Sequence, residues 1–265
     1  MTQRSPSPDS VDSPALTGEP GLAGAPPAAR LRPPGRPVLD ARRFDIRDYI
    51  VYISFLVILL FFAVTLRDTG FLTWNNFMSI IRGTTPITVM AVGMVFVLAA
   101  GEIDLSIGAI LALAALAVSL ALRYTGSVPV AILVGLGVGL LAGFVNGFVL
   151  VLLRIPSFLV TLGTLSVFQG LARATTLEAV PITADTYNFW FGSGQVGDLT
   201  ILLVWSLGIV WIGYLLFNNT RFGRRVLATG GNRTAAVSVG IKVNRVKLSV
   251  FMISGLLAGL AGMLY

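Results

Sequence analysis

Two stretches of this sequence run on without a charge for longer than a soluble helix needs. Tyr49–Leu66 holds eighteen consecutive uncharged residues, and Val128–Leu153 holds twenty-six. About twenty apolar residues carry an α-helix across the hydrocarbon core of a bilayer, so both stretches predict membrane spans. Hydrophobic residues make up 55% of the chain and charged ones 12%. That balance leaves too little polar surface to keep a soluble protein of this size dispersed. The expected fold class is all-α, a polytopic transmembrane helical bundle.

Five further apolar segments bring the expected count to seven spans. They run over Pro86–Gly101, Leu105–Leu122, Ser157–Ala172, Leu199–Phe217 and Leu248–Tyr265, with Asn75–Arg82 as a short interfacial helix ahead of Pro86. The second and fifth spans are short, and either could be broken or partly re-entrant. Residues 1–48, rich in Pro, Ala, Ser and Arg, read as a disordered basic tail, and 49–265 as the membrane domain. The apolar run after the tail is too long for a signal peptide's core, so the first span is expected to stay in place as an anchor.

Charge gives the direction. With the N-terminus inside, one face carries 15 of the Lys and Arg residues, in the tail, at Arg154 and in the loop 218–247; the other carries 4. The positive-inside rule then makes the tail and loop 218–247 cytoplasmic and loop 173–198 extracytoplasmic. The net charge of +7 is thereby explained without nucleic acid. Loop 173–198 sets Glu178, Asp185 and Asp198 among Tyr187, Phe189, Trp190 and Phe191. It reads either as an interfacial aromatic belt or as a docking surface for an external partner.

The chain has no Cys and no His. Disulfides, thiol catalysis, Cys/His metal sites and His-based triads are therefore excluded, and no catalytic or metal-binding residue is expected. No GxxxxGK[ST] loop is present either, so ATP cannot be held here in that way.

What remains is membrane machinery. Gly135, Gly139, Gly143 and Gly147 form a stripe at a spacing of four, and Gly255 and Gly259, followed by Gly262, repeat the device. Such stripes let helices pack closely, as a fixed seam or as one that slides. Asn146, Thr161, Thr164 and Gln169 put uncharged polar groups inside spans. They either bond across helices or line a path suited to an uncharged solute such as a sugar. Glu102 and Asp104 lie in a tight link between spans, where Asp104 can cap the following helix or serve as a proton-coupled carboxylate.

The loop 218–247 is long for a link between spans. Gly230 and Gly231 suggest a turn, Asn232 an N-cap, and Gly240 a stop, leaving Arg233–Val239 as a short helix. Pinned at the membrane face, that helix can act as a lever for another protein or simply anchor the loop.

Four blocks resemble the permease subunits of bacterial ABC importers for monosaccharides, the ribose, xylose and galactose type. They are LAAGEIDLSIGA (98–109), GFVNGFVLVLLRIPSFLVTLGTLSVFQGLA (143–172), RFGRRVLATGGNRTAAVSVGIKVNRVK (221–247) and GLLAGLAGML (255–264). The resemblance implies a non-catalytic subunit working by alternating access. Its cytoplasmic loop would dock on a separate ATPase holding ATP and Mg2+, and its outer face would receive a sugar-loaded binding protein. No cofactor is expected on this chain itself. A second permease copy would pack across the glycine seams. Ala235, Ala236 and Gly240 match the loop motif's core, and Arg224 and Arg225 would add docking contacts.

The sequence departs from the family in three places. Arg233 and Thr234 stand where acidic residues are common, and Glu102 stands where many relatives have glycine. The family also continues beyond the point matching Tyr265, so the chain reads as truncated. Two other classes stand against the importer. An ion- or proton-coupled secondary transporter would use Glu102 and Asp104, and an intramembrane enzyme would need a reactive group that the sequence does not supply.

Overall fold

A computed structural model describes residues 46–176 and 180–265. The expected tail lies outside the described residues, except that a helix already begins at Ile46, and Glu178 lies outside them too. The chain divides into a unit ending at Val57 and another beginning at Ile58, with helix α1 (Ile46–Thr65) running through the boundary. In the first unit the described side chains Tyr49–Val57 are all exposed. An exposed helix that is apolar on every side is one that lipid covers.

In the second unit, α2 spans Trp74–Ala99, α3 Ile107–Thr125, α4 Val128–Leu153 and α5 Ser157–Thr175. A short α6 (Asp185–Phe191) and a hairpin of β1 (Gln195–Val196) and β2 (Leu199–Thr200) follow. Then come α7 (Ile201–Asn218), α8 (Arg221–Gly231), α9 (Arg233–Ser238) and α10 (Val243–Met263). The described helices long and apolar enough to cross a membrane are five: α2, α3, α4, α7 and α10. The seven-span expectation added α1 and α5. The latter is nineteen residues long but mixes Thr161, Thr164, Ser166, Gln169 and Arg173 into its apolar surface.

The chain corrects three sequence boundaries. Asn75–Arg82 and the Pro86 span form one continuous helix of 26 residues, with Pro86 inside it. Proline removes one helical N–H and crowds the preceding turn. Hydroxyls bridge that turn here: Thr84 and Thr85 donate to the carbonyls of Ile80 and Ile81 at 2.8 Å. Arg82, read as the end of a separate interfacial helix, therefore sits in the third turn of α2. The last span begins at Val243 instead of Leu248, because the helix continues through Arg245, which is exposed, and Lys247, whose charge is met by Glu102. Gly230 and Gly231 do not make a turn. They complete α8, an amphipathic helix that a search for apolar runs does not see.

At the centre is α10, which packs against α2, α3 and α4. Ala258, Gly259, Leu260, Ala261, Gly262 and Met263 are all buried, as a helix surrounded by other helices requires. The aromatics of the connection between α5 and α7 divide. Tyr187 and Phe191 are buried, stacking on each other and, through Phe191, on Trp205. Phe189 and Trp190 stay exposed. The Tyr187 hydroxyl donates to the Met263 carbonyl at 2.9 Å, and burial pushes its phenol well above the ordinary range.

Candidate coupling and translocation site

Between the end of α2 and the start of α3, the chain runs extended. Glu102, Asp104 and Ser106 are buried while Ile103 and Leu105 are exposed, so the polar residues face inward and the apolar ones outward. This period of two is that of an extended strand without a partner strand. α5 supplies the missing hydrogen bonds. Ile103 N donates to Ser157 Oγ at 2.9 Å, and Leu105 N donates to Thr161 Oγ1 at 3.1 Å. Ser157 and Thr161 stand one helical turn apart, which presents both hydroxyls on one face of α5.

Asp104 Oδ1 accepts from the Ser106 backbone N–H at 2.9 Å and from its hydroxyl at 2.7 Å. Ser106 Oγ in turn accepts from Asn146 Nδ2 of α4 at 2.7 Å. Asn146 lies eight residues before Arg154, about 12 Å along the helix, so the connection doubles back into the bundle before α3 begins. Asp104 bonds to the N-cap residue Ser106, not to the first turn of α3. Burial raises its carboxyl above the ordinary range, opposed by the two bonds from Ser106 and by the nearby Ser254 hydroxyl. Asn146 Oδ1 is buried with no hydrogen-bond partner among the described residues.

The four expected pathway residues are not brought to one lining. Asn146 and Thr161 are fully buried. Thr164, partly buried, donates to the Thr161 carbonyl at 3.3 Å, and Gln169 is exposed.

The glycine stripes meet within the chain. A Cβ on Gly139 would collide with the carbonyl oxygen of Gly255 and stand 2.7 Å from the Cα of Gly259. One on Gly143 would collide with the carbonyl of Phe251 and stand 3.1 Å from the Cα of Gly255. Gly135 faces Val118 and Met263, and Gly147 faces Leu248. Gly262 extends the contact to α3, where a Cβ would stand 2.9 Å from Ala115 N. The expectation that two copies pack across these seams is therefore corrected: α4 and α10 of one chain already fill them.

The end of the bundle that holds Gly101 also holds α8 and α9. Gly230 packs its backbone on the end of α2, where a Cβ would collide with the Ala99 carbonyl and stand 2.9 Å from Gly101 N. Thr220 caps α8 by accepting from Gly223 N at 3.2 Å, and Asn232 caps α9 by accepting from Ala235 N at 3.0 Å. Gly240, at φ +80°, ends α9 in the left-handed conformation. Arg224, Arg225, Gly231, Arg233 and Ala235 are exposed, and Ala236 is buried. Three apolar side chains, Leu227, Val237 and Val239, are exposed in this otherwise polar stretch. Val239 lines a hollow of about 450 Å3 together with Arg225, Gly240, Lys242 and Arg245.

A second hollow of about 240 Å3 opens between the α4–α5 turn and the start of α10, lined by Glu102, Arg154, Arg233, Asn244 and Lys247 among others. Lys247 is ion-paired with Glu102 inside it. Sequence reasoning passed over Ser106, Ser157 and Asn244 as site residues, and used Arg154 and Lys247 only as charges that set the orientation. The alternation of Glu102, Asp104 and Ser106 was the signal available for the first of these.

The chain matches a known family over residues 76–265: the permease component of the branched-chain amino acid transport system. It is 38% identical to the L-arabinose ABC transporter permease protein of Azospirillum brasilense over 210 residues, 78% of this chain and 61% of that protein. It is 32% identical to the ribose import permease protein of Escherichia coli K12 over 234 residues, 85% of this chain and 72% of that one. The autoinducer 2 import system permease protein of Yersinia pseudotuberculosis is 32% identical over 215 residues, 79% of this chain and 60% of its own length. The chain thus spans about three fifths of the arabinose and autoinducer 2 permeases. No solved structure matches.

Proposed function

We propose that this chain, which belongs to the permease-component family of the branched-chain amino acid transport system, is the membrane subunit of an ATP-driven importer for a monosaccharide. The relatives' names, arabinose and ribose permeases among them, support a pentose or hexose as cargo. ATP and Mg2+ belong to a partner ATPase at the cytoplasmic face, and a binding protein delivers the sugar on the other side. The excess of Lys and Arg on one face supports that orientation. A second permease copy completes the path on a surface other than the α4–α10 seam.

One observation carries the coupling role: Gly230 seats α8 on the end of α2, while α8 and α9 present Leu227, Val237 and Val239 outward. Exposed apolar side chains on a stretch that also carries the cations Arg225, Lys242 and Arg245 suit a protein interface with acidic groups on the partner. Displacing α9 would push on α8, and through Gly230 on the extended connection that carries Asp104. The test is co-purification of the chain with its ATPase. Val237→Asp should abolish capture without changing the thermal unfolding of the chain alone. Uptake that proceeds without any ATPase would overturn the proposal.

A further inference from the structure

We propose that the hollow between the α4–α5 turn and the start of α10 holds the phosphate of an anionic phospholipid. Its polar wall carries three cations, Arg154, Arg233 and Lys247, and one carboxylate, Glu102. Glu102 is taken by Lys247. Neither arginine has an ion-pair or hydrogen-bond partner among the described residues. Two free guanidinium groups at the rim of one hollow suit the oxygens of a phosphate, which their planar forks can grip in pairs.

Arg154 adds a second, independent observation. It sits at φ +56°, the one described residue other than glycine with a positive φ. Glycine or asparagine takes that helix-ending position without strain, whereas a long side chain there costs on the order of 1 kcal/mol. The strain is held in a residue that lines the hollow.

A lipid fits better than a free anion because the surface continues as an acyl-chain face. Leu152, Leu153, Ile155 and Phe158, on either side of Arg154, are all exposed. The headgroup site thus adjoins the end of a span, where the interface between lipid heads and tails lies. The inference rests on the membrane-spanning architecture alone and stands whether or not the chain imports sugar.

The test uses this chain, purified, delipidated in detergent and titrated with phosphatidylglycerol, phosphatidylcholine or inorganic phosphate, with bound lipid read by native mass spectrometry. Phosphatidylglycerol should be retained over phosphatidylcholine. Arg154→Gln and Arg233→Gln should each weaken that retention roughly fivefold. Arg123→Gln, which removes a cation at the far end of α3, should leave it unchanged and controls for net charge. Equal retention by the wild type and both variants would overturn the proposal. Binding of inorganic phosphate as tight as that of phosphatidylglycerol would overturn the assignment to a lipid. Unchanged lipid retention combined with lost capture of the ATPase would give the hollow to the protein partner instead.

Discussion

Lys247, in the second turn of α10, is ion-paired with Glu102, in the extended link between α2 and α3. The pair ties the central helix of the bundle to the segment on which α8 rests. It also joins two positions that lie far apart in the sequence and that no apolar-run analysis connects. Both side chains are largely withdrawn from water, with 16% and 8% exposure for Lys247 and Glu102.

Breaking such a pair on one side leaves a charge without its counter-ion in a poorly hydrated place. Glu102→Gln should therefore destabilise the chain by about 1–3 kcal/mol, reduced from the fully buried case because Lys247 keeps some water contact. The double variant Glu102→Gln, Lys247→Met should recover most of that loss. Thermal unfolding in detergent of both singles and the double makes the comparison. A double variant as unstable as the sum of the singles would remove the pair from the account.

The seam between α4 and α10 separates glycines that matter from glycines that do not. Gly139→Ala drives a methyl group into the Gly255 carbonyl, a backbone atom that cannot step aside, whereas Gly137 has nothing within 4 Å. Forcing two packed backbones apart costs about 1–3 kcal/mol. Gly139→Ala should lower the unfolding temperature and Gly137→Ala should not. Because the seam lies within one chain, the loss should appear at all protein concentrations; dependence on concentration would return the seam to a contact between copies.

Asp104 gives a prediction with a sign. Burial raises its carboxyl above the usual value of 3.8, so the folded chain prefers the protonated form. That preference contributes stability which is fully present below the ordinary Asp value and is lost as pH rises through the raised one. The unfolding temperature of the wild type should fall over that window, and Asp104→Asn should flatten the fall while still accepting the bonds from Ser106. Asp104→Asn also separates the importer from a proton-coupled carrier. Sugar uptake that keeps its ATP dependence in the variant supports the former, and a loss of pH-coupled uptake supports the latter.

How much of this was legible depends on what each residue bonds to. The limits of α4 are those of its uncharged run, because no charge interrupts it between Ser127 and Arg154. A glycine spacing of four announces that some backbone comes close, but which one depends on how the helices are arranged. α8 stayed hidden because it leaves Arg221, Arg224 and Arg225 exposed and buries only Gly223, Val226 and Thr229. Its two terminal glycines look like a turn until Gly230 is seen against Ala99. Thr161 was readable as polar within a span. That its hydroxyl serves the backbone of Leu105 was not, since an extended segment inside a helical bundle leaves no periodic trace beyond five residues.

Tyr187 is the last position where a small change has a definite consequence. Its ring is buried beside Phe191, and its hydroxyl donates to the carbonyl of Met263 near the end of α10. Tyr187→Phe keeps the stacked ring and removes only the donor, leaving a buried carbonyl unsatisfied at a cost of about 1–3 kcal/mol. Tyr187→Leu should cost more, because the stacking on Phe191 goes as well. The phenol's raised ionisation range has its own readout. Tyr187 should stay un-ionised in an absorbance titration up to pH 11, so the wild type and Tyr187→Phe should form the same amount of tyrosinate. A wild type that forms one more tyrosinate than Tyr187→Phe would show that α6 does not dock its aromatic face on α10 in solution.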